Sequence, residues 1–584
     1  MKLPAALRPF RSFGDATSFD DLLADPAILP TPETNSAAPT PPCAPIAAAQ
    51  PGLVNPVAST GDRAMLGDTA RSLYTVSGAG VKVGILSDSF NMRGGYAADT
   101  ATGALASGVQ IIQDGPANGA DEGRAMAELV HKVAPSASLA FYTAFRGEAD
   151  FANGIKALAA AGCKVIVDDV TYLSEPFFQA GGVIQQAIAS VIAQGVSYFT
   201  SASNQGTTFY EHNFTGLAAK LPGLIGNYRS MNFGTTTAPQ TLQSLTIAKG
   251  ATATIDLQWD QPFASIGTGH ASANSLGLVL YDSAGKIVAS ALANRTGGDP
   301  VQILRFTNTT GSTDFRLGIV TNGGAVAPNL FKYIVYGTGT TINDPNAGIG
   351  SGTIIGHEEM AGVNSVGAIS ASNAPTLGGN GRIESFSSVG PGSLLFDSSG
   401  NRLATAISTA NVDFVAPDGI ATSVFSPFYG TSAAAPDAAA VAALMLQANA
   451  SLTPAQVTAM LAASAIKVTG AAGGTGSGLI QATSAVQQSI AAKSQTAPTI
   501  TRPTTAATST TSNTTGGAMS HDFNTALLSL FQDPTATPDF FAGTDPGIVL
   551  PDVQTTTATA FAIGHAIGDI PTLILDDPTT HLLA

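Results

Sequence analysis

Gly430-Thr431-Ser432-Ala433-Ala434-Ala435-Pro436 sets a serine at the mouth of an alanine-rich stretch that reads as a helix. A serine there stands in the positive end of the helix dipole, beside backbone N–H groups that have no partner within the helix. Such groups suit a nucleophile whose carbonyl target becomes an oxyanion, and small neighbours let a substrate backbone come close. The plainer reading is a helix cap, the usual role of a serine at a helix start. Asp168 and Asp169 end the apolar run Val165-Ile166-Val167, at the end of a strand where open α/β sheets place ligands. Asp256, Asp260 and Asp282 are candidates for structural Ca²⁺, but their spacing is not that of an EF-hand loop, and turn carboxylates are the simpler account. The two cysteines, Cys43 and Cys163, supply neither a disulfide framework nor a four-cysteine zinc site.

The elements that must position these groups alternate between strand and helix. Val81–Leu86 reads as a buried strand, and Asp121–Val130 has helical spacing with an acidic first turn. Ala137–Thr143, Lys164–Val167 and Val196–Thr200 read as further strands; Phe151–Ala161 and Gly182–Ala193 read as helices between them. This order predicts βαβ units and a parallel sheet. Near residue 210 the hydrophobic period falls to two: Ile255, Leu257 and Trp259 alternate with Asp256, Gln258 and Asp260, and Leu276, Leu278 and Leu280 repeat the pattern. Half-buried strands with hairpin turns imply a small sandwich at 215–340. The α/β character resumes at Val363–Ile369 and ends in the helix Ala433–Gln447 and one more after Thr453-Pro454.

Several segments, in order, resemble the subtilisin-like serine peptidases. Val83-Gly84-Ile85-Leu86-Ser87-Asp88-Ser89 is similar to the strand that carries the family's catalytic Asp, and Val133-Ala134-Pro135-Ser136-Ala137-Ser138-Leu139 to the strand after its histidine helix. Ser201-Ala202-Ser203-Asn204-Gln205-Gly206 resembles its oxyanion segment. Asn364-Ser365-Val366-Gly367-Ala368, Ser385–Pro391 and Phe414-Val415-Ala416-Pro417 match its late strands, and GTSAAAP its serine motif. The resemblance covers about 75–210 and 355–490. It implies an α/β, three-layer subtilisin-like core with a parallel sheet, interrupted by an all-β sandwich. It also implies a serine endopeptidase working through an acyl-enzyme on Ser432, with Asp88 in the catalytic group and Asn204 in the oxyanion hole. Thr171 and Tyr172 fall where the family lines its substrate cleft, although its serine-leucine-glycine signature is missing.

The family's His-Gly-Thr-His motif is absent. Aligning Gly123 with the family's glycine puts Glu122 where the general base belongs. The related sedolisins pair their serine with Glu and Asp, but they carry the Asp four residues after the Glu, where this chain has Met126, and use an Asp at the oxyanion position, where it has Asn204. A Ser432–Glu122–Asp88 constellation with an acid-shifted optimum follows, because a second carboxylate nearby raises one member of the pair. The bland account of Glu122 is a first-turn carboxylate or a salt bridge to Arg124. His131, nine residues on, lies about 13 Å along the same helix and is the rival base. A non-enzymatic binding or scaffold protein on the same fold is the rival to an enzyme.

The chain has 584 residues, enough for several domains, and 44% of them are hydrophobic, enough for a sizeable core. Charged residues make up 11%, against roughly 25% in typical soluble domains. A net charge of −15 excludes the basic footprint of a nucleic-acid partner. No run of about 20 apolar residues spans a membrane, and no cleaved Sec signal is visible. The expected partners are protein or peptide substrates, with no cofactor required and no statement on oligomeric state. Export by another route is the expected localisation. The predicted divisions are a disordered leader at 1–74, a peptidase domain at 75–212 and 345–492, the sandwich at 213–344, a Ser/Thr-rich linker at 493–518 and an acidic segment at 519–584. The sandwich resembles the pre-peptidase C-terminal domains of bacterial secreted peptidases.

Overall fold

The computed structural model describes residues 59–323 and 327–493, together with the backbone alone of 324, 494–495, 559–564 and 571–576. The linker and most of the leader and acidic segment fall outside these residues. Seven strands form one parallel sheet: β1 (Lys82–Ser87), β2 (Gln110–Gln113), β3 (Ser138–Thr143), β4 (Val165–Asp168), β5 (Ser197–Ser201), β6 (Val363–Ser370) and β7 (Phe414–Asp418). Their order is β2-β3-β1-β4-β5-β6-β7. The chain runs to one side of β1 and then turns back to the other, so the carboxyl ends of β1 and its neighbours form the crevice where such sheets hold ligands.

Both faces of the sheet are covered. Val83 and Ile85 of β1 join one core and Leu86 joins the other, so successive side chains point to opposite faces, all buried. The helices are α1 (Thr60–Ala64), α2 (Gly67–Tyr74), α3 (Tyr96–Thr102), α4 (Glu122–Val133), α5 (Glu148–Ala160), α6 (Val183–Ala193), α7 (Thr431–Ala448), α8 (Pro454–Ser464) and α9 (Ala482–Gln495). One core contains residues of α4 and α7, flanked by α1, α2, α8 and α9; the other contains those of α5 and α6. α7 is apolar around its whole circumference from Ala438 to Met445 and is buried throughout, as a helix without a polar face must be. Its alanines leave room for the sheet to come close. α1 and α2 correct the leader expectation: Ala64, Met65 and Ala70 are fully buried in the core, so the Pro- and Thr-rich composition of residues 1–60 does not extend to them.

Between β5 and β6 lie two antiparallel sheets. One has the order Ile287–Ala291, Asn274–Asp282, Asp314–Gly324, Gln243–Ile247, Thr340–Ile342; the other runs Val301–Thr307, Thr252–Trp259, Leu330–Tyr336, Phe209–Asn213. Leu257 and Tyr333 from one meet Leu278 and Leu317 from the other in a shared core. Phe209–Asn213, which the sequence pattern leaves in the α/β part, pairs with Leu330–Tyr336 and so belongs to this β region. The three aspartates considered for Ca²⁺ do not gather. Asp260 pairs with Arg402 at 2.8 Å, Asp282 accepts the N–H groups of its own turn, and Asp256 lies in the strand interior. Among the described residues no three or more His, Cys, Asp or Glu are grouped to hold a metal ion. Strands 559–564 and 571–576 pair with each other, and the second runs parallel to Val170–Tyr172.

α4 approaches the sheet closely at Gly123. A Cβ there would lie 2.3 Å from a ring carbon of Phe141 and 2.9 Å from the carbonyl oxygen of Ser89. Gly123→Ala is therefore expected to push the start of α4 outward and cost about 1–3 kcal/mol, read as a lower midpoint in urea denaturation.

Candidate active site

Five chain segments bring their ends together at the carboxyl edge of the sheet. Ser432 is the second residue of α7 and is 2% exposed. The residue before the helix, Gly430, has φ +105°, a conformation that favours glycine, and a Cβ there would also sit 3.3 Å from Asn204 Nδ2. Asn204 follows β5. Its Oδ1 accepts hydrogen bonds from the Thr431 N–H at 2.9 Å and the Thr431 hydroxyl at 3.0 Å. Because the Thr431 N–H can only donate, this contact fixes which end of the amide is oxygen and leaves Nδ2 on the other side. Ser203 and Asp121, the residues just before Asn204 and Glu122, both have φ +63°, unusual for residues with a Cβ. Backbone strain of this kind persists where the surroundings hold it and clusters at functional sites. Asp121 is held by the N–H groups of Met92 and Arg93 at 2.7 and 3.0 Å.

Glu122 opens α4 and is buried, with its carboxyl close enough to Ser432 and Asp169 for both to act on it. The salt bridge to Arg124 does not form: that guanidinium pairs with Asp99 and with Asp121. Asp88 follows β1, and its oxygens accept the N–H groups of Ser89, Ala120 and Glu122, the last at 2.9 Å. Asp88 therefore holds the backbone of Glu122 and acts on its carboxyl only through charge. The carboxyl nearest in influence to Glu122 belongs to Asp169, which follows β4. In the parallel register Leu86 lies opposite Asp168, so adjacent strands deliver Asp88 and Asp169 to neighbouring positions.

All three carboxyls hold protons more tightly than usual. Burial raises Glu122 well above its ordinary value, and the charges of Asp169 and Asp88 add to this, while the Ser432 hydrogen bond opposes it. Burial first, then the Asp88 charge, raises Asp169. Asp88 is pushed up to about 6 by burial, against the pull of its three N–H donors.

The remaining sequence candidates take other roles. His131 lies in the last turn of α4, at the far end from Glu122, and burial lowers its pKa. His357, which no sequence motif singles out, is fully buried between Glu175 at 2.6 Å and Asp168 at 3.3 Å. Asp168 points to the opposite face of the sheet from Asp169, so this histidine belongs to a separate buried cluster. Thr171 and Tyr172 do not offer their side chains to a substrate. Thr171 donates to Glu358, and Tyr172 is buried with its hydroxyl bonded to the Ala144 carbonyl at 2.7 Å. The sequence marks Asp169 only as a strand-end acid. The available signal is a charged residue directly after three apolar strand residues, one strand over from Asp88.

A parallel α/β sheet with a serine at a helix start, an amide beside it and carboxylates across from it defines a subtilisin-type fold. Residues 103–516 match the family model described as the subtilase family. The chain belongs to the subtilases, which are serine peptidases; the match begins after Asp88 and includes Glu122, Asp169, Asn204 and Ser432. No curated relative matches the chain. Among solved structures it is similar to the CspB protease of Clostridium perfringens, with 13% identity over 74% of this chain and 99% of that one and a TM-score of 0.47. It is also similar to MycP1 from Mycobacterium smegmatis, with 14% identity over 75% and 86% and a TM-score of 0.32.

The raised carboxyl pKa values make stability depend on pH. A group whose pKa is higher folded than unfolded favours the fold at low pH and loses that contribution as pH rises through its folded value. For Asp88, raised from 3.8 to about 6, the loss on going from pH 4 to pH 7 is about 2 kcal/mol. Glu122→Gln removes one crowded charge and retains hydrogen bonds to both neighbours. Its melting temperature is expected to exceed that of the wild type at pH 8, with the difference shrinking towards pH 4. Calorimetry at the two pH values reads this directly.

Proposed function

We propose that the protein is a serine endopeptidase that forms an acyl-enzyme on Ser432, with Glu122 as general base in place of histidine. The observation that carries this reading is the placement of Ser432, at the start of α7, within interaction range of a buried carboxyl, Glu122, whose pKa burial raises. A solvated glutamate, with a pKa near 4.3, is a weak base; burial and neighbouring charge make Glu122 a stronger one. Glu122 takes the Ser432 proton as Oγ attacks the peptide carbonyl and returns it to the leaving amine. The oxyanion is met by the Asn204 amide and the Ser432 backbone N–H in the positive field of the helix start. Asp88 keeps Glu122 in place through its backbone N–H. We assign the β region a role in substrate capture or folding, and the chain to export; secretion of a form truncated after residue 516 would argue against the acidic segment as export signal.

Carboxylates that repel one another titrate in two steps, and the singly ionised state is the competent one. Activity on casein or peptides is therefore expected to peak on the acid side of neutrality, at roughly pH 4–7; a maximum above pH 8 would count against Glu122 as base. Glu122→Gln is expected to lower kcat/KM by about 10²–10⁴-fold, and Asn204→Ala to lower kcat by about 10²–10³-fold with little change in KM. A fluorophosphonate should label Ser432 and no other residue. A wild type that neither labels nor cleaves from pH 3 to 10 would return the chain to the binding or scaffold reading.

A further inference from the structure

We propose that Asp169 is the positioning partner of the base: it shares a single proton with Glu122 in a carboxyl–carboxylate hydrogen bond and so keeps the Glu122 carboxyl turned to Ser432. The inference rests on the assignment of Glu122 as base.

Two carboxyl groups in contact attract only if a proton lies between them. Asp169 and Glu122 are 1% exposed each, and neither Asp169 oxygen nor Glu122 Oε2 receives a well-formed hydrogen bond from a protein donor. Burying a carboxylate oxygen without a donor is costly, and protonation is the ordinary escape. Ser87 lies near enough to draw Asp169 down, without a good hydrogen bond to it. Among the described residues no ion pair joins a cation to either carboxyl, and Arg124 is committed to Asp99 and Asp121. Asp88 cannot play this part, because its oxygens already accept three N–H groups. The four groups thus divide the chemistry: Asp88 anchors the backbone through the N–H groups it accepts, Asp169 carries the shared proton, Glu122 accepts, and Ser432 donates.

The proton count closes over the cycle. In acylation the Ser432 Oγ–carbonyl bond forms, and the hydroxyl proton moves to Glu122, so that the pair holds two protons. The C–N bond then breaks, Glu122 protonates the amine, and the pair returns to one. Deacylation repeats this with water as nucleophile, and Ser432 receives the proton.

The test is the pH profile of kcat/KM for a peptide substrate in wild type, Asp169→Asn, Asp169→Ala and Glu122→Gln, with folding checked by calorimetry. The wild-type profile should be a bell whose alkaline limb reports loss of the shared proton. An asparagine amide donates to Glu122 at any pH, so in Asp169→Asn the alkaline limb should move up by at least about one pH unit. Asp169→Ala should lose about 10²-fold or more in kcat with KM nearly unchanged. An alkaline limb unmoved in Asp169→Asn, with Glu122→Gln inactive, overturns the proposal and leaves Glu122 as base. Full activity in Glu122→Gln overturns both. Should Asp169→Asn not fold, Asp169→Ser, which still donates, is expected to show the same displaced limb; if neither folds, Asp169 is structural and the proposal fails.

Discussion

The site is governed by the cost of burying three carboxyl groups together with no cation to neutralise them. In a low-dielectric interior such charges repel strongly, and each keeps its ionised form only if donors surround it. Asp88 has three N–H donors and still rises to about 6. Glu122 and Asp169 have fewer donors and rise further. Subtilases built on histidine have one carboxylate facing a ring that becomes cationic. In the site proposed for this chain the second group is a carboxyl, and a shared proton would take the place that a positive charge has there.

Geometry makes that crowding unavoidable. β1 and β4 are neighbours in parallel register, with Leu86 opposite Asp168, so Asp88 and Asp169 leave the sheet at the same edge. α4 starts where Glu122 faces both, and Gly123 lets the helix come that close. The opposite wall is α7, whose buried alanines and N-terminal Gly430 let Ser432 and Asn204 meet. Strained backbone at Asp121 and Ser203 lies next to the two side chains whose direction matters most.

Charge is placed differently on the other face of the sheet. His357 between Glu175 and Asp168 is a compensated cluster: the imidazole's affinity for protons is raised by the two carboxylates despite burial. Gln258 of the β region donates to the carbonyls of Leu173 and Glu175, tying that region to the loop after the strand Val170–Tyr172. The sandwich is thereby joined to the segment that carries Glu175 of this cluster.

The alternation of strands and helices, the switch to period two near residue 210 and the serine motif were all legible in the sequence, because hydrophobic periodicity and helix-start chemistry are local properties. One aligned glycine also set the position of Glu122, whose role as base is a proposal. That α1 and α2 were not legible has a local cause too: a short amphipathic helix beside a Pro-rich run carries little signal. The parts that only tertiary structure decided are those that depend on strand register and side-chain direction. Asp168 and Asp169 are adjacent in sequence, yet one enters a histidine cluster and the other meets the Ser432–Glu122 pair, because neighbouring strand residues face opposite sides. Thr171 and Tyr172 turn inward for the same reason that a buried strand must satisfy its polar atoms. That Asp88 and Asp169 leave the sheet at one edge depends on the pairing of β1 with β4, a contact between residues some 80 positions apart that no local pattern records.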